Sequence, residues 1–251
     1  MRLTTVLSCV NNNPEYYNFI PYQIKIWKHL KIKFIAVFVG NVLPEELLPY
    51  KDNIILWNYT PELPSSFVAQ NLRLYIPAIL TDLLDDELVM ITDMDMLPGR
   101  VDKYTRNLEN YKKEDFITYR EIPWCDRQVY MCYNAGHPKI WSKIFNINSI
   151  NDIITRLKGT CFDNTSFEVS EKGWYIDQRV LFSNIIHYPH WKILNRDFIR
   201  LEYDKLEDLL VSKELFINDY DDIHFFRNFI NNKEIADVIL NQIEQIHSNK
   251  I

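Results

Sequence analysis

The first hundred residues alternate short β-branched runs with longer stretches whose apolar residues recur at helical spacing, and few folds accept that pattern. Leu3 to Val10, Phe34 to Val39, Asn53 to Trp57 and Leu88 to Thr92 read as strands. Between them, Pro14 to Leu30 aligns Tyr16, Ile20, Ile24, Trp27 and Leu30 on one helical face, and Val68, Leu72, Ile76 and Ile79 stripe a second helix. Strands joined by helices in this way run parallel and need cover on both faces of their sheet. The class expected is α/β, with a central, mostly parallel sheet flanked by helices.

Beyond Gly99 the pattern loosens. Asp115 to Tyr119 and Gln128 to Tyr133 are predicted strands, the second leading into a turn at Asn134-Ala-Gly136. Pro138 to Phe145, Asn151 to Leu157, Ile176 to Asn184 and Lys233 to His247 are predicted helices, the last aligning Ile235, Ile239, Ile243 and Ile246. Gly159 to Lys172 is polar and reads as a loop. Without repeats, low-complexity segments or a linker, residues 1–251 are expected to form one domain.

The fourth strand ends in Asp93-Met-Asp95. Strand alternation sends both carboxylates to one side and Met94 and Met96 to the other. Paired carboxylates at the carboxyl end of a buried strand suit a hard divalent cation that also holds a diphosphate, and open α/β sheets bind ligands at that edge. The spacing alone is weak, because a chain with 19 aspartates produces such triplets by chance. A second one, Asp219-Tyr-Asp221, lies in the acidic run Asn218 to Asp222 and reads as a solvated loop. The competing reading of Asp93 and Asp95 is a strand-end turn that caps backbone amides.

Composition excludes several classes. With 47% hydrophobic and 25% charged residues the chain is ordinary for a globular protein. A net charge of −6 argues against nucleic-acid binding by bulk electrostatics. No apolar run is long enough for a transmembrane helix. Thr4, Thr5 and Ser8 break the N-terminal apolar stretch, which therefore reads as a strand and not a signal peptide. Cys9, Cys125, Cys132 and Cys161 have no C-x-x-C spacing, so reduced thiols and a cytoplasmic location are expected.

Five pieces in order carry a family resemblance. They are Ser8-Cys-Val-Asn-Asn12, Asn71-Leu-Arg73 with Tyr75 and Pro77, Asp93-Met-Asp95, Tyr133-Asn-Ala-Gly136 and Trp174-Tyr-Ile-Asp-Gln178. Together they span residues 3 to about 184 and resemble glycosyltransferases of the GT-A (nucleotide-diphospho-sugar transferase) fold. Most similar are the glycogenin and lipopolysaccharide galactosyltransferase type and the capsid-glycan transferases of large DNA viruses. The resemblance implies a UDP- or GDP-linked sugar donor, Mn²⁺ or Mg²⁺, and a glycan or glycoprotein hydroxyl as acceptor. It makes residues 1–100 a nucleotide-binding half and 101–251 an acceptor half with a C-terminal helix.

Site residues follow from the same resemblance. Asp93 and Asp95 would hold the metal, with His224 in Asp222-Ile-His-Phe-Phe226 as a third ligand, although the Gly and Lys-Pro-Trp that follow it in the family are missing. Arg73 would steady the phosphates or the aspartates with its fork of donors. Val10, Asn11, Asn12, Tyr17 and Met94 would receive the donor, with Tyr17 placed to stack on the base. Asn134, Ala135 and Gly136 would lie along the donor sugar, Asn134 bonding a hydroxyl. Asp177 and Gln178 would act in catalysis, as general base on the acceptor or in orienting the sugar. His187 and His190 read as structural, or as lining the acceptor side with Trp191.

Two other functions share features with this reading. Phosphohydrolases of the haloacid dehalogenase type use a strand-end Asp-x-Asp, but Leu97 stands where they need Thr or Val, and their motif lies near the N-terminus. A non-catalytic carbohydrate-binding protein on the same fold would show affinity without turnover.

Overall fold

A computed structural model describes residues 1–58, 62–100, 102–160, 175–202, 219–225 and 233–248. The expected alternation is present. Strand β1 (Arg2–Asn11) is followed by helices α1 (Pro14–Tyr17) and α2 (Ile20–His29), then β2 (Lys33–Val39), β3 (Ile54–Trp57), α3 (Ser65–Tyr75) and β4 (Glu87–Ile91). The helix expected from Pro14 to Leu30 is two helices. Pro21 lacks an amide hydrogen and its ring crowds the carbonyl four residues back, so the chain re-enters the helix at Ile20.

The main sheet has the order β3-β2-β1-β4-β7-β6-β8, where β6 is Phe116–Thr118, β7 is Asn134–Gly136 and β8 is Trp191–Ile193. The pairs among β1, β2, β3 and β4 are parallel, whereas β7 runs antiparallel to β4 and β6. Chain order reverses at β1, with β2 on one side and β4 on the other. That reversal opens a crevice at the carboxyl ends of these strands.

Alternation along β1 divides the core. Val6 and Val10 face one side with Phe38, Met90 and Trp27 of α2. Leu7 faces the other with Val37, Val89, Leu72 of α3 and Trp141 of α5 (Pro138–Phe145). This second side is completed by α6 (Ile150–Gly159) and α7 (Ile176–Ile185) through Ile153, Leu157, Leu181 and Ile185. The C-terminal helix α8 (Lys233–Ser248) closes the first side with Ala236, Ile239 and Leu240, and its Asp237 accepts from Tyr22 of α2 at 2.7 Å. The side chains of Ile243 and Ile246, expected on the same stripe, lie outside the described residues.

Two expectations are corrected here. Asn134-Ala-Gly136 is a strand and not a turn, and residues 128–133 are not a strand. The Asn134 amide takes the carbonyls of Tyr130 (2.7 Å) and Met131 (3.0 Å), which removes them from ladder pairing and bends the chain before β7. The acidic run around Asp221 is likewise no solvated loop. Asp221 and Asp222 are fully buried, and Asp222 begins β10 (Asp222–His224) in a small second sheet. That sheet has the order β5-β10-β9, with β5 at Met96–Pro98, followed in the chain by helix α4 (Asp102–Thr105), and β9 at Arg200–Leu201. Gly99 permits it, since a Cβ there would stand 2.3 Å from the Tyr220 carbonyl oxygen. Among the described residues no helix is long and apolar enough to cross a membrane, and Cys9, Cys125 and Cys132 are free thiols.

Candidate functional site

The paired aspartates leave the strand before they act. β4 ends at Ile91, and residues 92–95 form a turn in which the Met96 amide donates to the Asp93 carbonyl at 3.4 Å. Asp93 and Asp95 therefore do not share a strand face as expected. Asp93 turns to α3 and Asp95 to β10, while Met94 and Met96 are buried beneath. The turn is held from below by Gln23 of α2. Its buried amide donates to the carbonyls of Met94 and Met96, each at 2.8 Å, and its Oε1 accepts from Trp27 Nε1 at 2.9 Å.

On the α3 side, Arg73 bridges two carboxylates that are remote in sequence. One terminal nitrogen binds Asp93, the other binds Asp177 in the first turn of α7, and Nε donates to the Gln70 carbonyl at 3.1 Å. Burial opposes the charge on Arg73, but the flanking Asp93 and Asp177 hold it above the usual arginine range. Arg73 thus ties Asp93 to Asp177, whereas the aspartates expected beside it were Asp93 and Asp95.

Asp177 is 0% exposed and has no free oxygen. Oδ1 accepts from Gln70 Nε2 (3.1 Å) and from the Gln178 amide (2.8 Å), and Oδ2 accepts from Arg73. Burial pushes its pKa above the usual carboxylate value, against the opposing pull of Arg73. A carboxylate so enclosed does not meet an acceptor hydroxyl, so this geometry does not support the expected general-base role and makes Asp177 an anchor for Arg73. The neighbouring Gln178 has a buried Oε1 with no hydrogen-bond partner among the described residues. Trp174, expected to lie beside Tyr175, falls outside the described residues.

On the other side, β10 pairs antiparallel with β5 so that His224 stands opposite Met96. The Phe225 amide donates to the Asp95 carbonyl at 2.9 Å. His224 Nε2 lies 3.7 Å from Asp95 Oδ2, and its Nδ1 is 2.8 Å from Glu202 Oε2. The bond to Asp95, against the effect of burial and with help from Glu202, pushes the imidazole pKa up to about 9. The sequence-predicted partners Asp95 and His224 are therefore brought together.

The chemistry of this set fits a divalent cation. An imidazole that offers one nitrogen beside a carboxylate and engages a second carboxylate with the other has the tautomer-fixing arrangement typical of a metal-bound histidine. Among the described residues no three of His, Cys, Asp or Glu converge into a closed metal cage. A cation held with a diphosphate does not need one, because one or two carboxylates plus phosphate oxygens are its usual ligands. Asp95 and His224 could hold it directly, and Asp93 could add an oxygen by turning from Arg73.

The expected donor residues divide. Asn11 and Asn12 lie at the carboxyl end of β1, Asn11 donating to Ser65 Oγ at 3.1 Å and Asn12 exposed. The Val10 side chain is buried in the core, as is that of Met94. Tyr17 is turned inward, edge-on to Phe38, with its hydroxyl on Glu46 at 2.9 Å, so its ring is not presented as a stacking platform. Asn134 is fully buried, its amide spent on Tyr130 and Met131 and its carbonyl on Thr118 at 2.9 Å, and so it offers nothing to a sugar hydroxyl. Ala135 is buried between β4 and β6. Gly136 is small for Phe116 and Trp141, which a Cβ would approach to 3.1 and 3.4 Å, and not for a ligand. His187 is exposed and His190 half-buried against Tyr188.

Sequence reasoning missed Gln23 and Glu202. Gln23 carried a signal, as a polar residue three positions from Ile20 and four from Trp27 on the buried stripe of its helix. Glu202 carried none, because its position depends on a two-residue strand.

No protein-family model matches this sequence, and no curated protein sequence matches it. Solved structures match its fold. The apo-form glycosyltransferase GlyE of Streptococcus pneumoniae TIGR4 superposes with a TM-score of 0.54 at 14% identity, over 96% of this chain and 63% of that one. This chain thus spans less than two thirds of the GlyE chain. The galactosyltransferase LgtC, in complex with donor and acceptor sugar analogues, gives a TM-score of 0.47 at 12% identity, over 88% of this chain and 87% of that one. A glycosyltransferase involved in glycosylation of the major capsid of PBCV-1 gives 0.46 at 11%, over 95% and 98%. The GlyE likeness shows that the architecture is the GT-A-type fold of glycosyltransferases.

Proposed function

We propose that this protein transfers a sugar from a nucleotide-diphosphate-sugar to a hydroxyl of a glycan or glycoprotein, with Mn²⁺ or Mg²⁺ bound at Asp95, His224 and Asp93. The observation that carries the reading is the convergence at the carboxyl end of β4. There Arg73 locks Asp93 to Asp177, and Asp95 meets His224, which Glu202 orients. The GT-A-type fold supports it.

In this mechanism the nucleoside lies at the end of β1, beside Asn11 and Asn12, where the strand order reverses. The diphosphate reaches the turn at Asp93 to Asp95. When bound, the cation neutralises charge developing on the departing diphosphate. Gln23 keeps the Asp95 backbone in place, and Arg73 fixes the direction of Asp93. Asp177 is a positioning residue that acts through Arg73. The expected catalytic role of Gln178 requires its buried Oε1, uncommitted among the described residues, to be uncovered when donor or acceptor binds.

A panel of UDP- and GDP-sugars, tested with Mn²⁺ by thermal shift and by release of the nucleotide diphosphate, examines this reading. A cognate donor should raise the melting temperature by mass action and be turned over. Binding without turnover, with any acceptor supplied, would make the protein a sugar-nucleotide-binding module. The absence of any stabilising sugar nucleotide would sink both readings.

A further inference from the structure

We propose that Arg120 recognises an anionic group on the donor sugar, so that the preferred donor carries a carboxylated sugar. The inference rests on the reading that the crevice takes a nucleotide-diphosphate-sugar. Because β7 runs antiparallel to both β4 and β6, β4 and β6 point the same way. Residues just past the end of β6 therefore sit at the same edge of the sheet as Asp93 and Asp95. Arg120 is the second such residue, and it is partly buried.

Among the described residues its charge is unmet. The guanidinium lies over the Tyr130 ring, 4.5 Å from the centroid, and one terminal nitrogen is 3.7 Å from Cys132 Sγ. The same thiol is 3.6 Å from Arg200, but Arg200 is neutralised by Asp222 at 2.9 and 2.6 Å. Among the described residues Arg120 has no carboxylate partner. Burial holds the Cys132 thiol up in its protonated form, so the sulfur supplies no negative charge, although the charge of Asp93 is felt there. A partly desolvated guanidinium with most of its donors uncommitted is costly unless a ligand supplies acceptors. A guanidinium fork with donors to spare pairs well with a planar carboxylate.

The Arg120 backbone stands further along the sheet than the aspartates, on the side where β7 and β6 follow β4. In the sheet, β6 is two strands from β4, which is about 10 Å. With the nucleoside over β1 and the diphosphate over β4, the attached sugar continues toward β7 and β6 and brings a group at its far side to Arg120. A neutral hydroxyl would leave the cation uncompensated, whereas the carboxylate of a uronic acid would meet it.

The test is calorimetric titration, with Mn²⁺, of UDP-glucose against UDP-glucuronate and of GDP-mannose against GDP-mannuronate, on wild type, Arg120→Gln and Arg120→Lys. Wild type should prefer the carboxylated member of at least one pair by about tenfold or more, the scale of a charge-assisted bond. Arg120→Gln should erase that preference, with a larger loss for the carboxylated donor than for the neutral one, and Arg120→Lys should keep part of it. Equal wild-type affinity within both pairs overturns the inference while leaving the proposed function standing. An equal loss for both members in Arg120→Gln, with an unchanged melting temperature, overturns it too, placing Arg120 on the shared diphosphate. If no sugar nucleotide of either pair binds wild type while another donor of the wider panel does, this inference fails and the proposed function stands; if none of the panel binds, both fail.

Discussion

Arg73 satisfies three acceptors at once, and that fixes what a change at its partners does. Asp177→Asn removes one of two charges from a buried guanidinium whose side chain is 13% exposed. Breaking a buried ion pair in this way costs about 3 kcal/mol, which should appear as a lower urea midpoint. Donor affinity should fall with it, because Asp93 loses its anchor. An unchanged midpoint with normal donor affinity and lost turnover would instead make Asp177 a participant in the chemistry. The identities of Asp93, Arg73 and Asp177 were legible in the sequence through their motifs. Their pairing was not, since residues 73, 93 and 177 meet only after α3, β4 and α7 have packed. Asn134 misled for the converse reason. An Asn before Ala-Gly looks like a turn residue until its amide is seen to cap two carbonyls of its own chain.

The element that shapes the site is the joint between α2 and the turn leading into β5. Gln23 closes it, giving two hydrogen bonds to backbone carbonyls on either side of Asp95 and accepting a third from Trp27. Gln23→Leu leaves two carbonyls and an indole N–H buried without partners. The expected loss is about 2–4 kcal/mol in chemical denaturation, at 1–3 kcal/mol for each unsatisfied group with partial relaxation. Weaker Mn²⁺-dependent donor binding should accompany it, and a variant of full stability would mean that the turn is held by other contacts. The long strands and helices of the first hundred residues were readable because periodicity accumulates over many residues. The two- and three-residue strands β9 and β10 carry too little periodicity to register. Acidic composition also hid that Asp221 is buried against Arg100 and Lys103, and Asp222 against Arg200.

Over the whole molecule, one sheet edge collects what the chain scatters. β1 brings Asn11 and Asn12, β4 brings Asp93 and Asp95, β6 brings Arg120, and β10, paired with β5, supplies His224. The two apolar faces lock that edge in place, with α2 and α8 on one side and α3, α5, α6 and α7 on the other. The GT-A-type architecture was legible from strand–helix order plus five short motifs. The antiparallel β7 was not, because it was concealed as a turn. The central claim is that this edge binds a nucleotide diphosphate through a divalent cation held at Asp95. Calorimetry of UDP and GDP binding, with Mn²⁺ and with a chelator, on wild type and Asp95→Ala tests it most directly. The account predicts binding of one nucleotide by wild type only when Mn²⁺ is present, and none by a folded Asp95→Ala. Equal affinity with and without the metal, or in the variant, would contradict it.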